Sequence, residues 1–422
     1  MTYVITSSIV TVVLSTLFYI NYNDKKLLKY IENNKKSTPK SILRIVLNNS
    51  VKLINSSKYI IKKVILERIF KFKYEFYGEN GGVIESIIIY PIKSVSTGYK
   101  TDKWTIDSHG VKYDRIYSIA KFDPELKKYI PLTLKDRNTF STVRVTFDEK
   151  TTEFIFTYPI SETEKGTFKL PGEVTDEFVK KYSSDMGDTN EIKLWLCNFE
   201  TIVLDKFLPQ DFKDAFDLNK DSISLIYSRK GKVITKLLPG NDPVKNRTTF
   251  FQDYFPILLC SRNSYNDVVS KLESSKSENY VEIESFRPNI VVESSQSQKT
   301  GVQKIAPFDE DTWSDFDVIS SDTNIRHHFN STARCFRCSV PNIHLDTGFM
   351  DPKGTVSKTM SKYRRVDEGV PYSACFGIYV FQKDTDFTIK KGDKIDILNR
   401  DSKYFYTNPF FEDKASEKWF TF

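Results

Sequence analysis

The segment Cys335-Phe336-Arg337-Cys338 places two thiols three positions apart, with Arg334 immediately before them. Guanidinium groups stabilise thiolates, so one of these sulfurs could bind a soft metal or act as a nucleophile. Structural zinc is weakly supported, because no second cysteine pair follows at the spacing that zinc modules use. Free cysteines are also common as small buried apolar residues, so the motif alone leaves these alternatives open.

Three further clusters place cationic or hydroxyl side chains next to apolar runs. The clusters are Tyr90-Pro91-Ile92-Lys93-Ser94, Asp114-Arg115 and Phe286-Arg287-Pro288-Asn289-Ile290. Lys, Ser and Arg are the residue types that hold phosphorylated or otherwise anionic ligands. Each cluster alone is more often part of a surface ion pair, and the clusters gain specificity only when they are taken together.

The elements that must position these residues are mostly strands. Aromatic residues make up 14% of the 422 residues, and from Gly82 onward short strand-like runs follow one another without intervening helices. This pattern predicts an α+β, β-rich fold with antiparallel sheets or barrels. Helical patterns interrupt it at 176–186 and 265–274. The segment 209–247 is rich in Asp, Lys, Asn and Gly, which predicts a loop-bearing connection between two domains.

The N-terminal part of the chain differs sharply in charge from the rest. Residues 1–23 carry no charged side chain, and residues 24–73 carry fourteen Lys or Arg against three acidic residues, a net charge of +11. The remaining chain is at −4, since the total is +7. An apolar run followed by lysines predicts a transmembrane anchor with a cytosolic body, and the alternative is a cleaved or buried apolar segment. A basic amphipathic helix over 41–70 could lie on the membrane or pack on the body.

The cysteine count and the charge distribution exclude two classes of protein. Five cysteines are an odd and sparse set, which argues against a disulfide framework and for a reducing compartment. The positive charge lies in the N-terminal segment rather than on the folded body, so binding of nucleic acid is not expected. The basic segment favours attachment to a lipid membrane.

Taken in order, the motifs resemble the family of MOSC proteins with an N-terminal β-barrel domain, and among them the amidoxime-reducing components of mitochondria. The wider superfamily is that of the molybdenum cofactor sulfurase C-terminal domains. The resemblance covers about Gly82 to Leu398. Beyond the motifs already named, it rests on FDEDTW (308–313), LDTG (345–348), KYR (362–364), FG (376–377) and KGD (391–393).

The resemblance implies a fold and a domain organisation. An N-terminal MOSC β-barrel domain and a MOSC β-barrel domain would follow a membrane anchor helix. The expected segments are the anchor (1–23), a basic amphipathic linker (24–78), the N-terminal barrel (79–208), the connecting region (209–247), the MOSC domain (248–400) and an aromatic tail (401–422). The resemblance also places the chain at the mitochondrial outer membrane, with its body in the cytosol.

The resemblance further implies an activity. Cys338 would bind molybdenum in a molybdopterin cofactor and so be the catalytic residue, while Cys335 would be structural. The residues that would hold the pterin and its phosphate are Lys93, Ser94, Arg115, Arg287 and Tyr379. The expected reaction is reduction of small N-hydroxylated compounds such as amidoximes. Electrons would come from a small b-type cytochrome and its NADH-dependent flavin reductase.

Three positions depart from the family pattern. Phe336 lies between the cysteines and Tyr254-Phe255 precedes Pro256, where the family commonly carries hydroxyl residues. Lost hydroxyls would remove hydrogen bonds that contribute about 0.5 to 1.5 kcal/mol each. Two alternatives therefore stand beside the reductase: a non-catalytic MOSC-fold adaptor that has lost the cofactor, and a sulfur carrier that forms a persulfide on Cys338.

Overall fold

The structure is a computed structural model, and it describes most of the chain from Gly82 to Arg400. The described ranges are 82–185, 189–194, 197–219, 222–233, 248–274, 281–294, 305–367 and 369–400. The predicted anchor (1–23), linker (24–78) and aromatic tail (401–422) lie outside these ranges. No helix in the described part of the chain is both long enough and apolar enough to cross a bilayer.

The described residues form many strands and a few short helices. The strands are β1 (Gly82–Ile89), β2 (Ile92–Lys93), β3 (Tyr99–Thr101), β4 (Lys103–Asp107), β5 (Gly110–Val111), β6 (Tyr117–Asp123), β7 (Lys128–Pro131), β8 (Arg144–Asp148), β9 (Glu153–Pro159), β10 (Lys165–Pro171), β11 (Thr189–Leu194), β12 (Cys197–Leu204), β13 (Ile223–Tyr227), β14 (Lys232–Val233), β15 (Thr248–Thr249), β16 (Ile257–Ser261), β17 (Ile290–Ser294), β18 (Trp313–Ile319), β19 (Arg326–Phe336), β20 (Cys375–Gln382), β21 (Phe387–Lys390) and β22 (Lys394–Arg400). The α-helices are α1 (Asp176–Tyr182), α2 (Gln210–Ala215), α3 (Arg262–Ser274) and α4 (Thr355–Ser361). Short 3-10 helices are η1 (Asn138–Thr142), η2 (Ile283–Phe286), η3 (Asp309–Thr312) and η4 (Val340–Asn342). The β-rich composition that the sequence predicts is confirmed, as are helices within 176–186 and 265–274.

Seven strands close into the first barrel, in the order β1-β17-β16-β20-β19-β18-β22 and back to β1. Strand β17 closes the ring because Ile290 pairs with Ile87 of β1 on one side and with Leu259 of β16 on the other. Strands β16 and β17 run parallel, joined by the segment that contains α3. Every residue of β16 and of β20 is buried. This burial is the pattern of strands that are covered on both faces.

Five strands close into the second barrel, in the order β6-β7-β11-β12-β13 and back to β6. Strand β13 completes it through the pair Leu225 and Ile119 on one side and Leu225 and Leu204 on the other. The segment predicted as a loop-bearing connection, 209–247, therefore needs correction, since it supplies helix α2 and this barrel strand. Because polar residues flank the apolar run 223–227, composition alone did not predict this strand.

A three-stranded sheet, β8-β9-β10, packs its apolar residues into the same core. Its alternation is regular, because Phe154, Phe156 and Tyr158 are buried while the residues between them are half-buried. Phe156 stacks on Phe168 across the β9–β10 pair, with ring centroids 4.9 Å apart. Period-two alternation of this kind marks a sheet with one face on the core.

The candidate residues lie at strand ends and in the turns beside them. Lys93 ends β2, while Arg115 lies in the turn before β6. Arg287 follows η2 directly, and Cys338 lies two residues beyond the end of β19. Strand β1, from the predicted N-terminal domain, belongs to the seven-stranded barrel, so the segment after it is held by the same sheet that carries β17 and β19.

Candidate functional site

The side chains of Arg115 and Arg287 both pack on the ring of Tyr90. Its side chain is fully buried directly after β1. The guanidinium carbon of Arg287 lies 4.1 Å from the ring centroid, and that of Arg115 lies 4.7 Å from it. Burial raises the pKa of the Tyr90 hydroxyl, so the phenol stays neutral beside the two cations. Within the described residues this hydroxyl has no hydrogen-bond partner, so it could donate to a bound anion.

Arg115 is fixed by a buried network. Its Nη1 donates to the Oδ2 of Asp114 at 2.5 Å and to the Oδ1 of Asn289 at 3.2 Å, and its Nη2 donates to the carbonyl of Arg287 at 3.3 Å. Asp114 is fully buried and also accepts from the backbone N–H of Tyr90 at 2.9 Å. Burial alone would lower the pKa of Arg115, but the Asp114 carboxylate raises it. Arg115 is therefore a neutralised, rigid cation.

Arg287 lacks such neutralisation. Its Nη1 donates to the carbonyl of Ser96 at 2.9 Å, whereas its buried Nη2 has no hydrogen-bond partner among the described residues. Burial lowers the pKa of Arg287 to about 10; Tyr90 opposes the shift and the nearby Arg115 adds to it. A buried cation with an open donor is disfavoured unless an anion comes to it. Arg287 is the feature of this cluster that most clearly favours an anionic ligand.

Lys93 and Asp253 form the third part of the cluster. Lys93 is 5% exposed, and its Nζ donates to the carbonyl of Phe251 at 3.0 Å and pairs with the Oδ1 of Asp253 at 2.5 Å. The Asp253 side chain is 46% exposed, and its charge contributes to the raised pKa of Arg115 and opposes in part the lowered pKa of Arg287. The carboxylate thus lies within electrostatic range of all three cations. Sequence reasoning did not select Asp253 as a site residue.

The backbone is strained where these side chains meet. Ser94, Ser96, Arg115 and Arg287 have φ angles of 59°, 67°, 52° and 56°. A residue other than glycine in this left-handed region costs about 1–2 kcal/mol. Such outliers concentrate at functional sites, where the surrounding structure holds them in place. Three of the four are residues that the sequence analysis selected.

Arg337 links the thiol segment, residues 335–338, to the cation cluster of Lys93, Arg115 and Arg287. Its Nη1 donates to the Sγ of Cys335 at 3.0 Å, and its Nη2 donates to the carbonyl of Phe286 at 2.7 Å. Phe286 immediately precedes Arg287, so Arg337 ties the two sides of the site together. Burial raises the pKa of the Cys335 thiol, and Arg337 offsets this only in part. Cys335 is buried and Cys338 is exposed, so Cys338 is the thiol that a ligand can reach.

Aromatic rings surround the thiol segment. Tyr379 is 8% exposed on β20, and burial together with the Cys335 sulfur raises its pKa. The ring centroid of Tyr254 lies 6.3 Å from that of Tyr379 and 5.8 Å from that of Phe336. Phe255 packs on Tyr379 at 5.7 Å. The three positions that depart from the family pattern therefore form one cluster with Tyr379.

Comparison with protein families matches residues 246–396 to the MOSC domain. This chain carries a MOSC domain. Of the residues described above, Asp253, Arg287, Cys338 and Tyr379 lie inside it, whereas Lys93, Ser94 and Arg115 precede it. The site is thus assembled from the MOSC domain and from the segment that follows β1.

The curated relatives are named as amidoxime reducing components or as molybdenum cofactor sulfurases. The chain is 29% identical to mitochondrial amidoxime reducing component 2 of Rattus norvegicus over 170 residues, 39% of this chain and 44% of that protein. It is 32% identical to the Homo sapiens protein of that name over 154 residues, 36% of this chain and 39% of that protein. It is 23% identical to molybdenum cofactor sulfurase of Oryza sativa subsp. japonica over 293 residues, 67% of this chain and 31% of that protein. The matches thus span less than half the length of these relatives.

The structure brings the residues selected from the sequence into two adjoining groups. Lys93, Ser94, Arg115 and Arg287 lie with the cation cluster, while Tyr379 and Cys338 lie with the thiol segment. Sequence reasoning gave no role in ligand binding to Tyr90, Ser96 or Asp253, and it considered Arg337 only as a neighbour of the thiols. Tyr90 and Arg337 lie inside motifs that the sequence analysis names, and Ser96 lies two residues after Ser94. Asp253 lies in a segment whose register the sequence did not fix.

Proposed function

We propose that this chain binds a molybdenum cofactor through Cys338 and the cation cluster, and that it reduces small N-hydroxylated compounds of the amidoxime type. The observation that carries the proposal is the pairing of an exposed thiol with a buried, under-neutralised Arg287. The MOSC domain and the relative named molybdenum cofactor sulfurase support this ligand, and the relative named amidoxime reducing component supports this reaction.

The residues present fit a large anionic cofactor better than a bare metal ion. The described residues contain no group of three or more His, Cys, Asp or Glu side chains that could hold a metal. A metal at Cys338 would therefore need most of its ligands from a cofactor. The open Nη2 of Arg287 and the hydroxyl of Tyr90 are donors suited to a phosphate. At positions 254, 255 and 336 the site has aromatic rings, where the family pattern predicts hydroxyl donors.

Each group of residues has a defined role in this proposal. Lys93, Ser94, Arg115 and Arg287 would hold the phosphate and the pterin edge. Tyr379 would close the site on the side of the thiols, and the Cys338 thiolate would be the protein ligand to molybdenum. When bound, the cofactor supplies two-electron redox chemistry that removes the oxygen of an N–O bond as water. The protein contributes binding, orientation and a fixed electrostatic environment.

The cellular setting is part of the same proposal. The uncharged run 1–23 would anchor the chain in a membrane, and the lysines after it would keep the body in the cytosol. Relatives named as mitochondrial support a mitochondrial location, within which we propose the outer membrane. Electrons would come from a small b-type cytochrome and its NADH-dependent flavin reductase.

The test is reduction of benzamidoxime by full-length protein made in a host that synthesises the cofactor, with the cytochrome and reductase added. We expect activity that is lost in Cys338→Ala and kept in Phe122→Ser, a substitution on the second barrel. Activity that survives in Cys338→Ala would contradict the assignment of this thiol.

A second candidate is a sulfur carrier. The alignment with the sulfurase of Oryza sativa covers 67% of this chain, more than the alignments with the amidoxime-reducing proteins. An exposed Cys338 could hold a persulfide. Mass spectrometry of the protein after treatment with thiosulfate decides between the two. Transfer of the outer sulfur of thiosulfate to the Cys338 thiolate would release sulfite and add the mass of one sulfur atom at Cys338. Protein without molybdenum and without persulfide would favour the non-catalytic adaptor.

A further inference from the structure

Helix α4 and the residues that follow it carry a run of cations beside the candidate site. The stretch 352–366 contains five Lys or Arg and no acidic residue, whereas the chain from residue 74 onward has a net charge of −4. Arg364 is buried and pairs with Asp311 at 2.5 Å. Lys358, Lys362 and Arg365 are exposed and form a basic patch. The patch is thus a local excess of positive charge on a body that is otherwise negative.

The geometry of α4 directs the basic patch toward solvent. Val356, Thr359 and Met360 are buried, and Val356 and Met360 belong to the apolar cluster that contains Cys335. The residue after the helix, Lys362, keeps helical dihedral angles, with φ −71° and ψ −25°. Positions 358 and 362 are four residues apart, so they share one face of the helix, opposite the buried residues. The helix therefore covers the core beneath the thiols with one face and presents cations on the other.

The acidic residues that flank this stretch are used inside the protein. Asp351 is 6% exposed and accepts from two backbone N–H groups, at 2.9 and 2.8 Å. Asp367 is 2% exposed and pairs with Arg334. Within the part of the chain that the structure describes, none of the three patch cations forms an ion pair. The charge of the basic patch is therefore not neutralised by neighbouring carboxylates.

The basic patch adjoins the exposed thiol. The Oγ of Ser357, the residue before Lys358, lies 3.5 Å from the carbonyl oxygen of Cys338. The backbone N–H of Ser357 donates to the Oδ1 of Asn342 at 3.0 Å, and the Nδ2 of Asn342 donates to the carbonyl of Ser339 at 2.9 Å. These bonds fasten the first turn of α4 to the segment that carries Cys338. A protein bound at the patch therefore comes close to this thiol.

We infer that the basic patch is the docking surface for an acidic electron-carrier protein. The inference rests on the proposed function, in which two electrons and two protons convert an amidoxime into an amidine and water. Both electrons must reach the site at Cys338 from outside the chain. A cationic surface attracts a negatively charged partner and raises its association rate, an effect that salt weakens. A bilayer lying on the patch would also cover Cys338 and exclude the substrate, so a protein that binds and leaves fits this surface better.

The experiment drives benzamidoxime reduction by full-length protein with two electron sources. One is a small b-type cytochrome with an acidic surface, together with its reductase, and the other is dithionite, which needs no docking surface. The variants are Lys358→Glu/Lys362→Glu and the milder Lys358→Gln/Lys362→Gln, which serves if the charge-reversed protein does not fold. The matched control is Lys180→Glu/Lys181→Glu, since α1 is also a helix of seven residues with exposed lysines in its last turn.

Binding is measured beside turnover. The Kd of the cytochrome is determined by calorimetry at about 20 mM and about 300 mM salt, because screening differs strongly between these conditions. Binding to phosphatidylserine vesicles is measured on the same proteins. Charge reversal should lower kcat/KM for the cytochrome about tenfold at low salt and remove most of its dependence on salt. The Kd of the cytochrome should rise by a similar factor, while the dithionite-driven rate and the control stay unchanged.

Three results would overturn the inference. They are an unchanged cytochrome-driven rate, an equal fall with both electron sources, and a loss of vesicle binding with an unchanged cytochrome Kd. If neither electron source supports turnover, the proposed reaction fails. The cytochrome Kd then decides on the docking surface by itself, so the two failures are distinguishable.

Discussion

Replacing Arg287 with methionine should separate ligand binding from stability. A pKa that falls from 12.5 to about 10 on burial corresponds to about 3 kcal/mol against the charged form. Losing the cation–π contact with Tyr90 costs about 2 kcal/mol, and losing the hydrogen bond to the carbonyl of Ser96 costs about 1–3 kcal/mol. Methionine can fill the space over the ring. Because these contributions largely cancel, we expect a loss of stability of no more than about 2 kcal/mol.

The matched control is Arg115→Met. Arg115 pairs with the fully buried Asp114, so its removal leaves an unpaired buried carboxylate and should cost about 3–5 kcal/mol. Both variants are compared with the unaltered chain by urea unfolding, using protein from a host that cannot make the cofactor. Inorganic phosphate should raise the melting temperature of the unaltered chain and have a much smaller effect on Arg287→Met. If Arg287→Met is as unstable as Arg115→Met, and phosphate still stabilises it, Arg287 is a structural cation and the reasoning fails.

Three further predictions concern the rest of the molecule. Iodoacetamide should modify Cys338 well before the buried Cys335, as followed by peptide mass spectrometry. Gly377→Ala should cost more than about 2 kcal/mol in urea unfolding, since φ is 77° and the new Cβ would lie 2.6 Å from the sulfur of Cys260. Burial raises the pKa of Glu310 to about 8, so its contribution to stability is complete below pH 4.5 and is lost as the pH rises through about 8. Glu310→Gln should remove that loss, seen as a smaller drop in unfolding midpoint between about pH 5 and about pH 9.

Strand content was predictable where apolar residues formed clear runs. The run Ile87-Ile88-Ile89 reads as a strand because β-branched residues suit a pleated, buried surface. Strand β13 was not predicted, because its five apolar or small residues have charged and turn-forming neighbours. These five residues form a strand only through long-range pairing with β6 and β12. Closure of a barrel depends on such non-local pairs, which local pattern does not encode.

The candidate site was predictable at positions that lie inside recognisable motifs. Lys93, Arg115 and Arg287 were selected in this way, and the structure brings them together. The strained φ of Arg287 and its open donor could not be foreseen, because they arise from the packing of η2 and Tyr90 around it. Asp253 was missed for a similar reason, since its proximity to the cations depends on how the segment before β16 crosses them.

The central claim is that Cys338 holds molybdenum in a cofactor whose phosphate is bound by the cation cluster. Metal analysis of full-length protein from a molybdate-fed, cofactor-competent host tests it most directly. The account predicts about one molybdenum atom per chain, lost in Cys338→Ala and retained in Phe122→Ser. Folded protein without molybdenum, or a Cys338→Ala variant with the same metal content as the unaltered chain, would contradict it.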